Sequence, residues 1–130
     1  MKKAGDFRSS WGGIAGVQST LAVLLDRGYH ARNLPIERIV SLVCSTPAER
    51  FRIGGKGRLE PGYDADLVLV DPDKSFTLGA VDLHQRHKMS PYVGSSFRGT
   101  ARRTIRRGET IFLDGAIVAT SKGRFVCPTS

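Results

Sequence analysis

The strongest constraint on the fold is a change of pattern near residue 55, where helical periodicity gives way to strand and turn signals. Before this point, apolar residues recur at the spacing of one helix face, at Val17, Leu21, Leu24 and Leu25. After it, residues 67–70 form a continuous apolar run, which is typical of a strand that is covered on both faces. We therefore expect a helical part over residues 1–55 and a β part over residues 56–130.

The helical part contains signals for two to three helices. Gly28 is expected to end the first helix, and Asn33 with Pro35 marks the start of the second, since proline suits a first helical turn. The run Ser45-Thr46-Pro47 is expected to break the chain and restart a short helix, which ends before Gly54 and Gly55.

The β part is divided by turn chemistry. We expect Asp71-Pro72-Asp73 to end the first strand and residues 76–78 to form a second, short strand. Residues 82–99 are polar and are interpreted as a long ordered loop. Two hairpins are predicted after it, turning at residues 106–109 and at Asp114-Gly115.

Length and charge restrict the class of protein. The chain has 130 residues, which suits one domain or part of one, and its 20 Lys and Arg against 12 Asp and Glu give a net charge of +8. The residues after Met1-Lys2-Lys3 do not form the apolar stretch of a signal peptide, and the nearly apolar run at residues 21–25 is too short to span a bilayer. A soluble cytoplasmic protein with no membrane partner is predicted.

The cysteines and histidines carry no metal signature. Cys44 is expected to be a buried thiol in a helix and Cys127 a solvated thiol in the tail, with no CxxC motif. His30, His84 and His87 form neither an H-x-H nor an H-E-x-x-H motif, so loop histidines making hydrogen bonds are expected.

Two groups of charged residues have both a structural and a functional interpretation. Asp64 and Asp66 are paired carboxylates at a strand start, where we expect them to satisfy turn amides rather than to act in acid–base chemistry. Five arginines could contact phosphates, at positions 98, 102, 103, 106 and 107. Only Phe97 offers an adjacent aromatic ring, so ion pairs or a solvated surface are favoured over nucleic-acid binding.

A glycine loop, residues 11–16, precedes the first helical pattern and contains Trp11, Gly12 and Gly13. Glycines allow a backbone to approach another group closely, and N–H groups ahead of a helix can hold a carbonyl or an anion. A ligand-binding loop and a tight loop without a ligand are both compatible with these residues.

Several stretches resemble the allantoinases and dihydroorotases of the amidohydrolase superfamily. Residues 11–19, WGGIAGVQS, resemble the segment after the last barrel strand of allantoinases, and residues 46–51, TPAERF, resemble a helix start of that family. Residues 56–66, KGRLEPGYDAD, are similar to the superfamily-wide connection between the barrel and a small β-domain. Residues 86–94, RHKMSPYVG, are the most discriminating and are most similar to allantoinases. Residues 104–115 fit a closing hairpin.

The resemblance implies an α/β fold. The chain would be the C-terminal remnant of a TIM-like (β/α)8 barrel, residues 1–55, followed by part of a small β-sandwich domain, residues 56–130. Such enzymes use zinc or another divalent metal to activate a water that attacks a cyclic amide. Their ligands lie upstream of the matched region, so no catalytic or metal-ligating side chain carries over to this chain. The loop at Trp11, Gly12 and Gly13 would border the substrate through its backbone.

Three functions follow from these observations. The first is the C-terminal part of a cyclic amidohydrolase acting on allantoin, or else on dihydroorotate or a hydantoin, and inactive in isolation. The second is a non-enzymatic module that associates with itself or with an upstream barrel portion, because missing strands leave unpaired sheet edges. The third is a small basic nucleic-acid-binding protein, which only the net charge and the arginines support.

Overall fold

The computed structural model describes residues 13–120 and 123–128. In these residues a first helical segment packs against a four-stranded antiparallel sheet, and a second helical segment packs against the first. The order of helices first and strands afterwards agrees with the change of pattern near residue 55. The α- and π-helical stretches end at Arg50, the first strand begins at Leu67, and a 3-10 turn, Ala80–Asp82, follows that strand.

The first helical segment is built from a 3-10 turn, Val17–Ser19, a short α-helix, α1, Thr20–Val23, and a π-helical stretch, Leu24–His30. Leu25 is 1% exposed, whereas Val17 is 90% exposed, so the predicted apolar face is buried at only part of its length. The predicted stop at Gly28 is wrong. Gly28 is buried within the segment, where a β-carbon would make an ordinary van der Waals contact with Leu34 Cδ1 at 3.4 Å.

The second helical segment begins where the sequence predicts, with Pro35 as the N-cap of α2, Ile36–Val40. The predicted break at Ser45-Thr46-Pro47 is wrong, because a π-helical stretch, Ser41–Ser45, leads directly into α3, Thr46–Arg50. A proline inside an α-helix crowds the carbonyl four residues earlier, and the wider π turn gives Pro47 room. Cys44 lies in this stretch and is exposed, which contradicts the predicted buried thiol; Cys127 is exposed as predicted.

The sheet has the order β1-β2-β3-β4, with each strand antiparallel to the next. Its strands are β1, Leu67–Thr77, β2, Ser96–Arg106, β3, Glu109–Leu113, and β4, Ala116–Ile117. The long loop predicted over residues 82–99 therefore ends earlier, at the start of β2. Val68 and Leu69 of β1 are 49% and 48% exposed, so this strand is not covered on both faces by the described residues.

The turn chemistry at Asp71-Pro72-Asp73 produces a bulge instead of the predicted end of a strand. Asp71 Oδ1 accepts hydrogen bonds from the amides of Asp73 and Lys74, both at 3.1 Å. The register of β1 against β2 shifts between Asp71 and Ser75, and pairing then resumes up to Thr77. The two predicted strands are thus one bulged strand.

Both predicted hairpin turns are confirmed. Arg107 and Gly108 have φ angles of 47° and 83°, and Asp114 and Gly115 have φ angles of 45° and 95°. Positive φ at both central positions is the geometry of a type I′ turn, whose twist matches that of the flanking strands.

The main apolar core lies where the first helical segment meets the sheet and the chain that follows β1. Leu78, Leu83 and Phe97 are buried together, and Ala22, Val23, Phe76 and Tyr92 pack around them. The rings of Tyr92 and Phe97 are 6.1 Å apart between centroids, at 60°. This core holds the residues after β1 close to the start of the first helical segment.

Candidate functional site

The glycine loop is described from Gly13 onwards, and Trp11 and Gly12 lie outside the described residues. Gly13 has a φ of +81°, a conformation that favours glycine. The amide of Gly16 donates to the carbonyl of Ile14 at 3.0 Å, and the amide of Ser19 donates to the carbonyl of Gly16 at 3.0 Å. The described part of the loop is therefore a tight turn that leads into the first helical segment.

Residues 82–92, here called the supporting segment, pack against this loop. The Ser90 hydroxyl donates to the Ala15 carbonyl at 2.8 Å, and the amide of Tyr92 donates to Ser90 Oγ at 3.3 Å. The Tyr92 ring lies over Gly16, where a β-carbon would be 3.3 Å from Tyr92 Cε2. The loop is thus held by a hydrogen bond and by a ring that leaves little room for a side chain.

Gln18 joins the other end of the supporting segment to the start of the first helical segment. Its Nε2 donates to the Asp82 carbonyl at 2.8 Å, and its Oε1 accepts from the His84 amide at 2.8 Å. Both halves of the side-chain amide are used, which fixes its orientation.

The supporting segment is also braced internally. Gln85 Nε2 donates to the carbonyls of His87 and Met89, at 2.9 Å and 2.6 Å, and the Lys88 ammonium donates to the Leu83 carbonyl. These bonds brace the backbone of the supporting segment between its contact with Gln18 at one end and its contact with Ala15 at the other. The supporting segment therefore links the apolar core to the glycine loop.

The histidines do not come together. The His84 ring packs edge-on against Phe112, with centroids 6.0 Å apart, and a His30 ring nitrogen lies 2.7 Å from the Pro72 carbonyl oxygen. In residues 13–120 and 123–128, no three His, Cys, Asp or Glu side chains are grouped so that they could hold a metal ion. The described residues do not fit a metal centre.

Asp66 satisfies a turn amide, as the sequence predicts, whereas the contact of Asp64 is an ion pair with Lys56. Asp66 Oδ1 accepts a hydrogen bond from the Arg107 amide at 2.8 Å. The Lys56 ammonium pairs with Asp64 at 2.7 Å and also with Asp66. Hydrogen bonds to Asp64 and then Asp66 raise the pKa of Lys56. Burial would raise the pKa of Asp66, but the hydrogen bonds from Lys56 and the Arg107 amide outweigh it and lower that pKa.

Arginines on β2 form ion pairs, the arrangement that the sequence favours. Arg98 pairs with Asp73 at 2.6 Å, Arg102 with Asp114 at 2.5 Å, and Arg106 with Glu109 at 3.0 Å. Arg103 Nε donates to Thr110 Oγ1 at 2.8 Å. Much of the positive charge on this strand is thus neutralised locally, which leaves less for phosphate contacts.

Two features of the structure were not predicted from the sequence. One is an open cavity of about 700 Å³ between the first helical segment and the sheet, lined by Gln18, Ala22, Phe76, His84, Phe97 and Phe112 among others. The other is the attachment of the supporting segment to the glycine loop. Gln18 lies in WGGIAGVQS and Ser90 in RHKMSPYVG, the two stretches that resemble allantoinases. That shared resemblance was the signal from which a contact between the two stretches could have been predicted.

Comparison with known proteins places the chain in a family. The model of the Amidohydrolase family matches residues 12–111, which include most of the glycine loop, the supporting segment and most of the sheet. The chain belongs to the amidohydrolase family. This confirms the superfamily that the motifs indicate.

Curated relatives are allantoinases. The chain is 53% identical over 128 residues to an allantoinase of Rubrobacter xylanophilus, and 50% identical over 128 residues to one of Solibacter usitatus. In both comparisons the match covers 98% of this chain and 28% of the relative. The chain thus corresponds to a portion of an allantoinase-like amidohydrolase and spans about 28% of the length of these relatives.

Solved structures of the same family share the fold. An L-hydantoinase (dihydropyrimidinase) from Arthrobacter aurescens matches with a TM-score of 0.86 and 31% identity, over 94% of this chain and 28% of that one. A D-hydantoinase (dihydropyrimidinase) from Thermus sp. matches with a TM-score of 0.77 and 26% identity, over 88% of this chain and 25% of that one. Separately, none of the described helices is long and apolar enough to pass through a membrane.

Proposed function

We propose that this chain is the C-terminal part of a metal-dependent cyclic amidohydrolase that opens a cyclic amide or ureide ring by hydrolysis. Allantoin is the favoured substrate, followed by dihydroorotate or a hydantoin. The observation that carries the proposal is the 53% identity to an allantoinase over 98% of the chain. The likeness to hydantoinase structures supports the cyclic amide as the reacting group.

Within that enzyme, the chain would supply a substrate-side loop and its support. Backbone groups at Trp11, Gly12 and Gly13 would border the substrate. The two helical segments, within residues 1–55, would be the remnant of a TIM-like (β/α)8 barrel, and residues 56–130 part of a small β-sandwich domain. The single antiparallel sheet and the tight turn at Gly13 support this assignment.

The chemistry of water activation is assigned to residues outside this chain. Zinc or another divalent metal would be held by the upstream portion of the enzyme, since the described residues offer no donor set for it. We therefore propose that the chain alone is inactive and that its partners are the upstream barrel portion, a small cyclic amide and further copies of the enzyme. A cytoplasmic location remains a prediction from the sequence.

A hybrid enzyme tests the proposal. The matching portion of the Rubrobacter xylanophilus allantoinase is replaced by this chain, and the unaltered allantoinase is the control. We expect the hybrid to keep the metal content of the control and to hydrolyse allantoin, while the 130-residue chain alone does neither. A folded, metal-loaded hybrid that turns over no allantoin, dihydroorotate or hydantoin would contradict the proposal. Turnover with bound metal by the chain alone would contradict its proposed inactivity.

A second candidate is a self-associating module, which is favoured by apolar side chains on the strands. Four of these side chains are 44–61% exposed, namely Val68, Leu69, Leu113 and Ile117. In the sheet of the described residues, β1 and β4 are the edge strands, and unpaired edges promote association. Size-exclusion chromatography with light scattering tests this candidate, and a monomer throughout the micromolar range would rule it out.

A further inference from the structure

The Ser90 hydroxyl is used both as a hydrogen-bond acceptor and as a donor. Its oxygen accepts a hydrogen bond from the Tyr92 amide at 3.3 Å and its hydroxyl donates to the Ala15 carbonyl at 2.8 Å. The amide contact occupies an acceptor site on the oxygen and thereby favours a hydroxyl hydrogen that points toward Ala15. An alanine would lose both bonds, and a threonine would keep both.

The bond to Ala15 joins parts of the chain that are 75 residues apart. A second side chain also bonds this turn, but over a longer distance. Thr20 Oγ1, in the adjoining helix, donates to the Gly16 carbonyl at 3.3 Å. Ser90 therefore ties the glycine loop to the supporting segment, which Gln18 anchors separately at Asp82 and His84. The loop's backbone position thus depends on a side chain outside it.

We propose that Ser90 is a positioning residue for the substrate-side loop. By holding the Ala15 carbonyl, its hydroxyl sets where the backbone of residues 13–16, the described part of the glycine loop, stands relative to a bound cyclic amide. This inference rests on the proposed function, because that proposal places the loop beside the substrate. Backbone groups that hold the substrate equally in its ground and transition states affect KM more than kcat.

The kinetic test uses the hybrid enzyme with Ser90→Ala, Ser90→Thr and, as the matched control, Ser75→Ala in the exposed bulge of β1. Loss of a hydrogen bond of ordinary strength predicts a rise in KM of roughly 2- to 10-fold for Ser90→Ala. We expect kcat and metal content to change little, and Ser90→Thr and Ser75→Ala to behave like the parent hybrid. An unchanged KM in Ser90→Ala, or a KM that Ser90→Thr fails to restore, would overturn the proposal.

Amide hydrogen exchange separates this inference from the proposed function. In the 130-residue chain, Ser90→Ala should speed exchange at Gly16, whose amide bonds Ile14 inside the turn, while Ser75→Ala should not. If the parent hybrid were inactive, the proposed function alone would fail, and faster exchange would still support the fixing of the loop. Unchanged exchange at Gly16 would overturn the role of Ser90, and so would faster exchange combined with an unchanged KM.

Discussion

Gly99 of β2 lies directly against Leu25 of the first helical segment. A β-carbon at position 99 would stand 2.6 Å from Leu25 Cβ, and Gly99 has a φ of +104°. Close by, Asp26 Oδ1 accepts a hydrogen bond from the Arg98 amide at 3.0 Å. The helical segment and the sheet therefore meet through a contact that has room for a hydrogen atom but not for a methyl group.

Gly99→Ala is expected to lower the free energy of unfolding by about 2–4 kcal/mol, because it adds a clash with Leu25 to an unfavourable φ. Gly62→Ala is the matched control, since Gly62 also has a positive φ, +92°, but no neighbouring atom within 4 Å of its β-carbon. It should cost about 1 kcal/mol. Urea titration followed by circular dichroism measures both values, and equal losses would show that the contact with Leu25 is unimportant.

Leu25→Ala should lower the free energy of unfolding by about 2–4 kcal/mol, because Leu25 is fully buried and its truncation leaves a cavity. Val17→Ala in the same segment is the control and should change stability by less than about 0.5 kcal/mol, since Val17 is almost fully exposed. Thermal unfolding of the two variants checks the difference. A loss at Val17 as large as that at Leu25 would argue against this orientation of the segment.

Stability should decline in acid partly through Asp66. The pKa of Asp66 in the folded chain is lowered from the ordinary value of 3.8. Its carboxylate therefore contributes to folding stability above that value, and this contribution is lost as the pH falls through the folded pKa. Asp66→Asn should therefore flatten the loss of stability below about pH 4. Urea titrations between pH 2 and pH 7 test this, with Asp73→Asn as an exposed control. The same slope in wild type and Asp66→Asn would contradict the prediction.

Lys56 has the opposite dependence on pH. The pKa of Lys56 is raised above the ordinary value of 10.5, chiefly by the hydrogen bond to Asp64. Its ammonium group therefore contributes to folding stability below that value, and this contribution is lost as the pH rises through the folded pKa. Lys56→Met should thus reduce the alkaline loss of stability above about pH 10, whereas Lys74→Met in β1 should retain it. Unfolding measured from pH 8 to pH 11.5 distinguishes the two outcomes.

Features that depend on neighbouring residues were predictable from the sequence. The hairpin turns follow from Asp114-Gly115 and Arg107-Gly108, because a type I′ turn needs positive φ at two adjacent positions. The start of α2 after Pro35 follows from the fixed φ of proline. These preferences act within a few residues, so the chain elsewhere does not alter them.

Two of the failed predictions concern positions where residues outside the local stretch decide the outcome. Gly28 continues the first helical segment because Leu34 and Ile39 pack against it. The Asp71-Pro72-Asp73 turn becomes a bulge because β2 pairs with the chain on both sides of it. Local turn chemistry was identified correctly, but its consequence depended on the partner strand.

The sequence by itself determined the family, the order of helices and strands, and the two stretches that form the candidate site. Only the tertiary structure decided that these stretches meet, with Ser90 against Ala15, and that Gln18 bonds Asp82 and His84 just before the second stretch. The physical reason is that hydrogen bonds between residues 64 to 75 positions apart leave no periodicity along the chain. In the folded chain, the core of Leu78, Leu83 and Phe97 holds the supporting segment against the first helical segment, which brings the partners of these bonds together.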